Sequence, residues 1–254
     1  GRIVPSPLLY HNGKLIGDFT VARLGDERFY VFGSGPAEDY HMRWFEAHLP
    51  DRGVAIRPLR SEMLGLSIAG PKSRDLLQKL THDDVSNAAF PFRSFRRMEL
   101  GLIPALVGRI TFTGWLGYEI WVKTDYQLAL YDLLLREGAA FGLSHFGGRA
   151  LNALRLEKSW GTWAREYRPI YGPFEAGLDL FVDLKKNDFI GRDAAMKERD
   201  QGPKRRLVTL TVDAADADVA RANGGFEVEI IGDRRKAMLA PRPLFDPDGA
   251  QMRG

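Results

Sequence analysis

The 254-residue chain contains no cysteine. That excludes disulfides, thiolate metal sites and cysteine nucleophiles together, and it favours a reducing compartment, here expected to be the cytoplasm. Long apolar runs are also missing. None approaches 18 residues, so neither a transmembrane helix nor a membrane partner is expected. An excess of one charge is absent too, with 36 basic against 33 acidic residues and a net charge of +3. Lys204-Arg205-Arg206 and Arg234-Arg235-Lys236 are the dense basic clusters, each short enough to be a solvated turn, so no nucleic-acid partner is expected. The five histidines (His11, His41, His48, His82, His145) show no ligand spacing, and no metal site is expected. Nucleotide and hydrolase motifs are lacking as well. There is no Walker loop, His-Glu-x-x-His or Gly-x-Ser-x-Gly, and Gly33-Ser-Gly35-Pro36 leads to Glu38 rather than a third glycine, which suits a turn.

What is present is an ordinary globular composition, 44% apolar and 27% charged, in a chain long enough for one large domain or two smaller ones. Strand character runs through residues 15–24 and 28–32, with Gly25-Asp26-Glu27 as the turn between them, and returns at 54–59, 63–69, 95–100, 105–113 and 118–122. Helical spacing marks 37–49, 74–80, 126–141 with Gly142 just past its end, 149–160 and 192–199. Residues 207–212 alternate and open what reads as a separate β module. Helices and antiparallel strands mix without a repeating strand–helix–strand period, so the fold class is α+β rather than a doubly wound sheet. The opening strand lacks a start methionine, and the turn-rich Pro241–Gly249 segment completes no element. The chain is therefore expected to be a piece of a longer polypeptide.

The most informative residue is Glu119. Two β-rich runs, 109–113 and 118–122, flank a turn over Gly114-Trp-Leu-Gly117, and the second run alternates its buried positions. A carboxylate among Tyr118, Ile120, Trp121 and Val122 is out of place unless it has work to do. On a rigid strand beside aromatic rings, it could read a flat nitrogen-rich ring by accepting its N–H donors.

Three segments together resemble the folate-binding aminomethyltransferase family, which includes the glycine cleavage T-protein and the C-terminal folate domains of dimethylglycine and sarcosine dehydrogenases. They are Gly13-Lys-Leu-Ile-Gly-Asp18-Phe-Thr-Val-Ala-Arg-Leu24, Thr113-Gly-Trp-Leu-Gly-Tyr-Glu119-Ile, and Arg149-Ala-Leu-Asn-Ala-Leu-Arg-Leu-Glu-Lys158. Shorter matches lie at Leu66-Ser-Ile-Ala-Gly-Pro71, Phe174-Glu-Ala-Gly-Leu178 and Asp188-Phe-Ile-Gly-Arg192. All six occur in the family's order within residues 1 to about 212, and the third is closer to the amine-dehydrogenase branch.

The resemblance implies an α+β fold of three subdomains around a central folate channel. It divides the chain into residues 1–202, an N-terminally incomplete aminomethyltransferase folate-binding domain, and 203–254, a truncated C-terminal β-barrel. It implies tetrahydrofolate-dependent one-carbon transfer from an N-methyl amine or aminomethyl donor to folate N5, with FAD only if an upstream flavin domain exists in the full-length chain. Two alternatives stay open: a non-flavin demethylase or aminomethyltransferase, and a folate-binding module without catalysis. By the same resemblance, Asp18 takes the catalytic aspartate position and Glu119 that of the pterin-reading glutamate. Thr20, two residues from Asp18, shares its strand face and either lines the pocket or is simply a β-former. Phe112 stands where the family has tyrosine, as a ring contact without the hydroxyl or as a core aromatic. Other departures are Lys14 and Gly17 beside Asp18, Trp115 in place of an acid, Asn152 in place of an aspartate, and Leu151 at an arginine position. Arg149 and Arg155 remain, and a helix arginine most often serves as an ion-pair or cap partner.

Overall fold

Period-two alternation dictates the two sheets that frame this molecule. In strand β2 (Leu15–Arg23) and strand β7 (Gly117–Lys123) successive side chains fall on opposite faces, so each strand must bury one face and can present the other. The computed structural model describes residues 1–163, 165–212, 226–230 and 233–254. The first sheet has the order β1 (Arg2–Leu9), β2, β3 (Phe29–Phe32), all antiparallel. The second has the order β4 (Met63–Ala69), β7, β6 (Ile103–Gly108), β5 (Phe95–Leu100), again antiparallel.

One face of the second sheet carries Ile68, Val107, Tyr118, Ile120 and Val122, all buried. It packs with Leu76, Leu77 and Leu80 of helix α2 (Ser73–Leu80) and Leu130 and Leu134 of helix α3 (Gln127–Gly138), forming the largest core. The other face carries Trp121 and Leu106, and it meets Ile3, Ala22, Tyr30 and Phe32 of the first sheet in a second core. The reverse side of the first sheet is closed by helix α1 (Glu38–His48): His41 bonds the Ile16 carbonyl at 3.0 Å and packs edge-on to Phe19 at 4.6 Å. Helix α4 (Gly148–Glu157) and helix α5 (Arg192–Gln201) follow, then strands β8 (Thr209–Val212), β9 (Phe226–Ile230) and β10 (Asp233–Ala240) in the order β8-β10-β9, and a short last helix α6 (Ala250–Arg253).

Several expectations change. Residues 54–59 form no strand: Pro58 interrupts the segment, Val54 is exposed, and among the described residues no strand pairs with it. Strand β6 stops at Gly108, so residues 109–113 are not a strand either. The Thr111 and Thr113 hydroxyls accept the Thr113 and Trp115 amides at 3.1 and 3.2 Å, which gives the backbone a local alternative to sheet pairing. The Arg234–Lys236 cluster lies in β10, paired with β9, and is not a turn. Among the described residues the C-terminal module is a three-stranded sheet, without barrel closure. Helix α3 stops at Gly138, earlier than expected, and continues as a 3-10 turn over Ala139–Phe141 that Gly142 closes, left-handed at φ 74° with its N–H on the Ala139 carbonyl. Among the described residues no helix is long and apolar enough to cross a membrane.

Candidate functional site

Register decides which side chains share a face. In an antiparallel ladder, directly opposed residues point the same way. On the first sheet Thr20 opposes Pro5 and Phe32, Ala22 opposes Ile3 and Tyr30, and Asp18 opposes Pro7. On the second, Glu119 opposes Ser67 and Gly108, and Trp121 opposes Gly65 and Leu106. Ala22, Tyr30, Phe32, Leu106 and Trp121 belong to one packed cluster, with Phe32 and Trp121 stacked at 4.2 Å. The faces bearing Asp18 and Thr20 and the face bearing Glu119 are therefore the two opposed walls of one inter-sheet space. Three of the four residues singled out from sequence thus lie on the sides of the two sheets that are turned toward each other.

The fourth, Phe112, lies in the 109–116 loop that leads into β7, half-buried and stacked on Trp160 at 6.0 Å with 21° between the rings. Its aromatic neighbour comes from the residues just past α4, which no local pattern in the sequence signals.

Glu119 is half-buried, and among the described residues its carboxylate has no hydrogen bond or ion pair. Burial alone pushes the carboxyl up to about 7. Gly108, directly opposite, keeps the neighbouring surface low: a Cβ there would come within 3.1 and 3.3 Å of the Trp121 ring. The result is an acceptor-rich group flanked by an indole and a bare backbone, without internal donors. Such a group is costly unless a ligand supplies donors.

Asp18 differs in its surroundings. Burial raises its carboxyl to about 6, backbone amides at Asp18 and Trp163 oppose the rise, and the Glu166 charge adds to it. The loop that brings Trp163 and Glu166 to Asp18 is held from α4. Arg155, 1% exposed, pairs with Glu166 at 2.9 Å and donates to the Trp160 carbonyl at 2.8 Å. Glu166 also accepts the Thr162 amide at 3.0 Å, and the Tyr167 hydroxyl accepts the Gly161 amide at 3.0 Å. Trp163 packs against His41 at 5.2 Å and Tyr40 at 5.8 Å, which seats the loop beside β2. Arg155 is thus the ion-pair partner expected of a helix arginine, whereas Glu166, Trp163 and Tyr167 were not anticipated. Asn152 also contacts Arg155, at 3.4 Å.

Other motif residues serve the frame. Glu175 accepts Lys14 at 3.0 Å and the Gly172 amide at 3.1 Å, with Arg205 at 3.5 Å; these partners outweigh its burial and hold its carboxyl below the usual range. Trp115 packs on Phe245 at 4.8 Å. His11 and His48, distant in sequence, approach to 3.4 Å over Trp44, yet among the described residues no group of three or more His, Asp or Glu could hold a metal ion. A cleft of about 310 Å³ lined by His11 and residues 188–193 includes neither Asp18 nor Glu119, and its lining is not the arrangement described above.

Comparison with known proteins shows the family and the fold. The GCVT N-terminal domain family matches residues 1–186. Human mitochondrial dimethylglycine dehydrogenase is 37% identical over 216 residues, covering 84% of this chain and 25% of that protein. An aminomethyltransferase from Thermoanaerobacter sp. (strain X514) is 32% identical over 198 residues, covering 78% of this chain and 54% of that protein. The chain thus spans a quarter of the first relative and about half of the second. The crystal structure of glycine cleavage system aminomethyltransferase T from Bartonella henselae superposes with a TM-score of 0.73 at 20% identity, over 92% of this chain and 62% of that one, a likeness of fold.

Proposed function

From its membership of the GCVT N-terminal domain family, to which this chain belongs, we propose that the protein binds tetrahydrofolate in the inter-sheet space and transfers a one-carbon unit to it from an N-methyl amine or aminomethyl donor. The observation that carries this reading is the unpartnered carboxylate of Glu119 facing the Asp18 wall. The residues present fit a reduced folate: a pterin edge offers N–H donors, Glu119 lacks them, and the Trp121 indole, lying over Gly108, is an aromatic neighbour on the same sheet face. When bound, tetrahydrofolate supplies N5, the nitrogen that accepts the one-carbon unit.

The chain's own residues then have distinct tasks. Glu119 accepts the N–H groups of the ring and fixes its orientation. Asp18, ionised above a pH of about 6, stabilises positive charge on the carbon–nitrogen unit of the donor. Thr20 lines the same wall two residues on, and Phe112 supplies a ring surface at the β7 end without the polar contact of a hydroxyl. Relatives named dimethylglycine dehydrogenase support a second element of the proposal, that an upstream flavin domain of a longer protein delivers the donor. Residues 203–254 would then belong to a β-barrel domain that follows the 1–202 folate domain.

Calorimetry with tetrahydrofolate, combined with turnover on an N-methyl amine in the full-length protein, tests the division of labour. Glu119→Ala is expected to weaken binding, and Asp18→Ala to lower turnover far more than binding. Folate affinity that survives Glu119→Ala overturns the site, and turnover that survives Asp18→Ala overturns its catalytic part.

A further inference from the structure

Lys158 closes α4, yet its side chain is only 6% exposed. Its ammonium group reaches 88 residues along the chain to Asp246, whose side chain is 3% exposed, bonding the carboxylate at 3.0 Å and also the Asp246 carbonyl. Asp246 is itself built for this contact. Its backbone is left-handed at φ 44°, and its carboxylate also accepts the Gln251 and Met252 amides at 3.0 and 3.3 Å. Burial would raise this carboxyl, and the two amides together with Lys158 reverse that and hold it below its ordinary range.

Around that pair, residues 245–254 are strapped across the loop that precedes Glu119. The Phe245 amide bonds the Glu157 carbonyl at 3.0 Å, the Phe245 ring packs on Trp115, and Arg109, 1% exposed, donates to the Arg253 carbonyl. The Lys158 stem and the Phe245 ring meet over Gly114, where a Cβ would stand 3.0 Å from Lys158 Cδ and 3.2 Å from Phe245 Cδ1. The Lys158 ammonium also lies 6.0 Å from the Trp160 ring, the ring on which Phe112 stacks.

We propose that Lys158 is a positioning residue: its buried ion pair with Asp246 latches the 245–254 strap over the Gly114 turn and so fixes Phe112 and the start of β7 for binding a reduced pterin. This rests on the folate reading above and adds to it a residue and a strap distant from the ring itself. The functional consequence is specific. A loosened turn lets Phe112 and Glu119 adopt geometries that no longer match a flat ring, so affinity for folate falls while the Asp18 wall, held by the separate ion pair of Arg155 with Glu166, keeps its arrangement.

The test uses the full-length protein with Lys158→Met, which keeps the stem without its charge, and Asp246→Asn, which removes the charge and keeps one oxygen acceptor for the Gln251 amide. Hydrogen exchange without folate is followed at residues 109–117 and, as a control, across α3. Calorimetry gives the tetrahydrofolate affinity, and turnover at saturating folate gives kcat. Expected in both variants are faster exchange confined to 109–117, affinity lower by about tenfold, and kcat close to the parent value. Exchange at 109–117 that stays unchanged in the folded Asp246→Asn variant overturns the latch. Exchange that rises equally in α3 overturns positioning in favour of general stability, as does a fall in kcat without loss of affinity. If the parent protein does not bind tetrahydrofolate, the folate reading fails, while the exchange experiment still decides whether the strap is latched.

Discussion

The two walls of the inter-sheet space hold their carboxylates in different ways. Asp18 sits among groups of the protein itself: backbone amides at Asp18 and Trp163 favour its charge, and the Glu166 carboxylate opposes it. Glu119 has burial and no internal partner among the described residues. Both carboxyls are raised, the first to about 6 and the second to about 7, but only Asp18 has protein groups that stabilise its anion. Charge on Asp18 is therefore available to act on something else, whereas charge on Glu119 is completed by whatever fills the space. The difference separates a residue suited to chemistry from one suited to recognition.

That contrast breaks most severely if the support of the Asp18 wall is removed. Arg155→Met leaves Glu166 without its buried cation and is expected to destabilise the fold by about 3 kcal/mol or more, read from the midpoint of urea unfolding. Next in size, Asp18→Asn keeps the shape of the side chain and is expected to lower turnover by about a hundredfold, with little change in folate affinity. In steady-state kinetics, equal losses at both walls would erase the distinction drawn here. Glu119→Ala follows, with an expected loss of about 1–3 kcal/mol in tetrahydrofolate binding from the missing charge-assisted hydrogen bonds.

The smallest effect concerns pH and ligand-free stability. A carboxyl whose folded value is raised stabilises the fold while protonated, and that contribution is lost as pH rises through the folded value. For Glu119 the loss builds from the ordinary value of 4.5 and is complete above about 7, so Glu119→Gln should unfold at higher denaturant than the parent at pH 8 and show less advantage at pH 6. Denaturant midpoints at the two pH values check the sign.

Much of the Glu119 wall was legible in the sequence because it rests on local order. Alternation from Tyr118 to Val122 fixes which side chains enter the main core, and the two left over are an acid, Glu119, and an indole, Trp121. The Asp18 side was half legible. Asp18 and Thr20 share a face by spacing, but Glu166 and Trp163 approach from a loop without periodicity, more than 140 positions away. Lys158 and Asp246 escape local reading for the same reason: an ion pair between a helix end and a distant turn leaves no pattern in either segment. Strand expectations failed at residues 54–59 and 109–113 on different grounds. The first has no strand to pair with among the described residues, and in the second the threonine hydroxyls satisfy backbone amides that a sheet would otherwise use.

Folate recognition turns on Glu119 receiving from a ligand the donors it lacks in the protein. Calorimetric titration of tetrahydrofolate at pH 7, in two buffers of different ionisation enthalpy, measures affinity and proton exchange together. Because the carboxyl titrates at about 7 when unpartnered, ring N–H donors that favour its charged form should expel a proton on binding. The parent protein is expected to release protons and bind, and Glu119→Gln to bind more weakly with that release abolished. Equal affinity and equal proton release in the two proteins would contradict the claim.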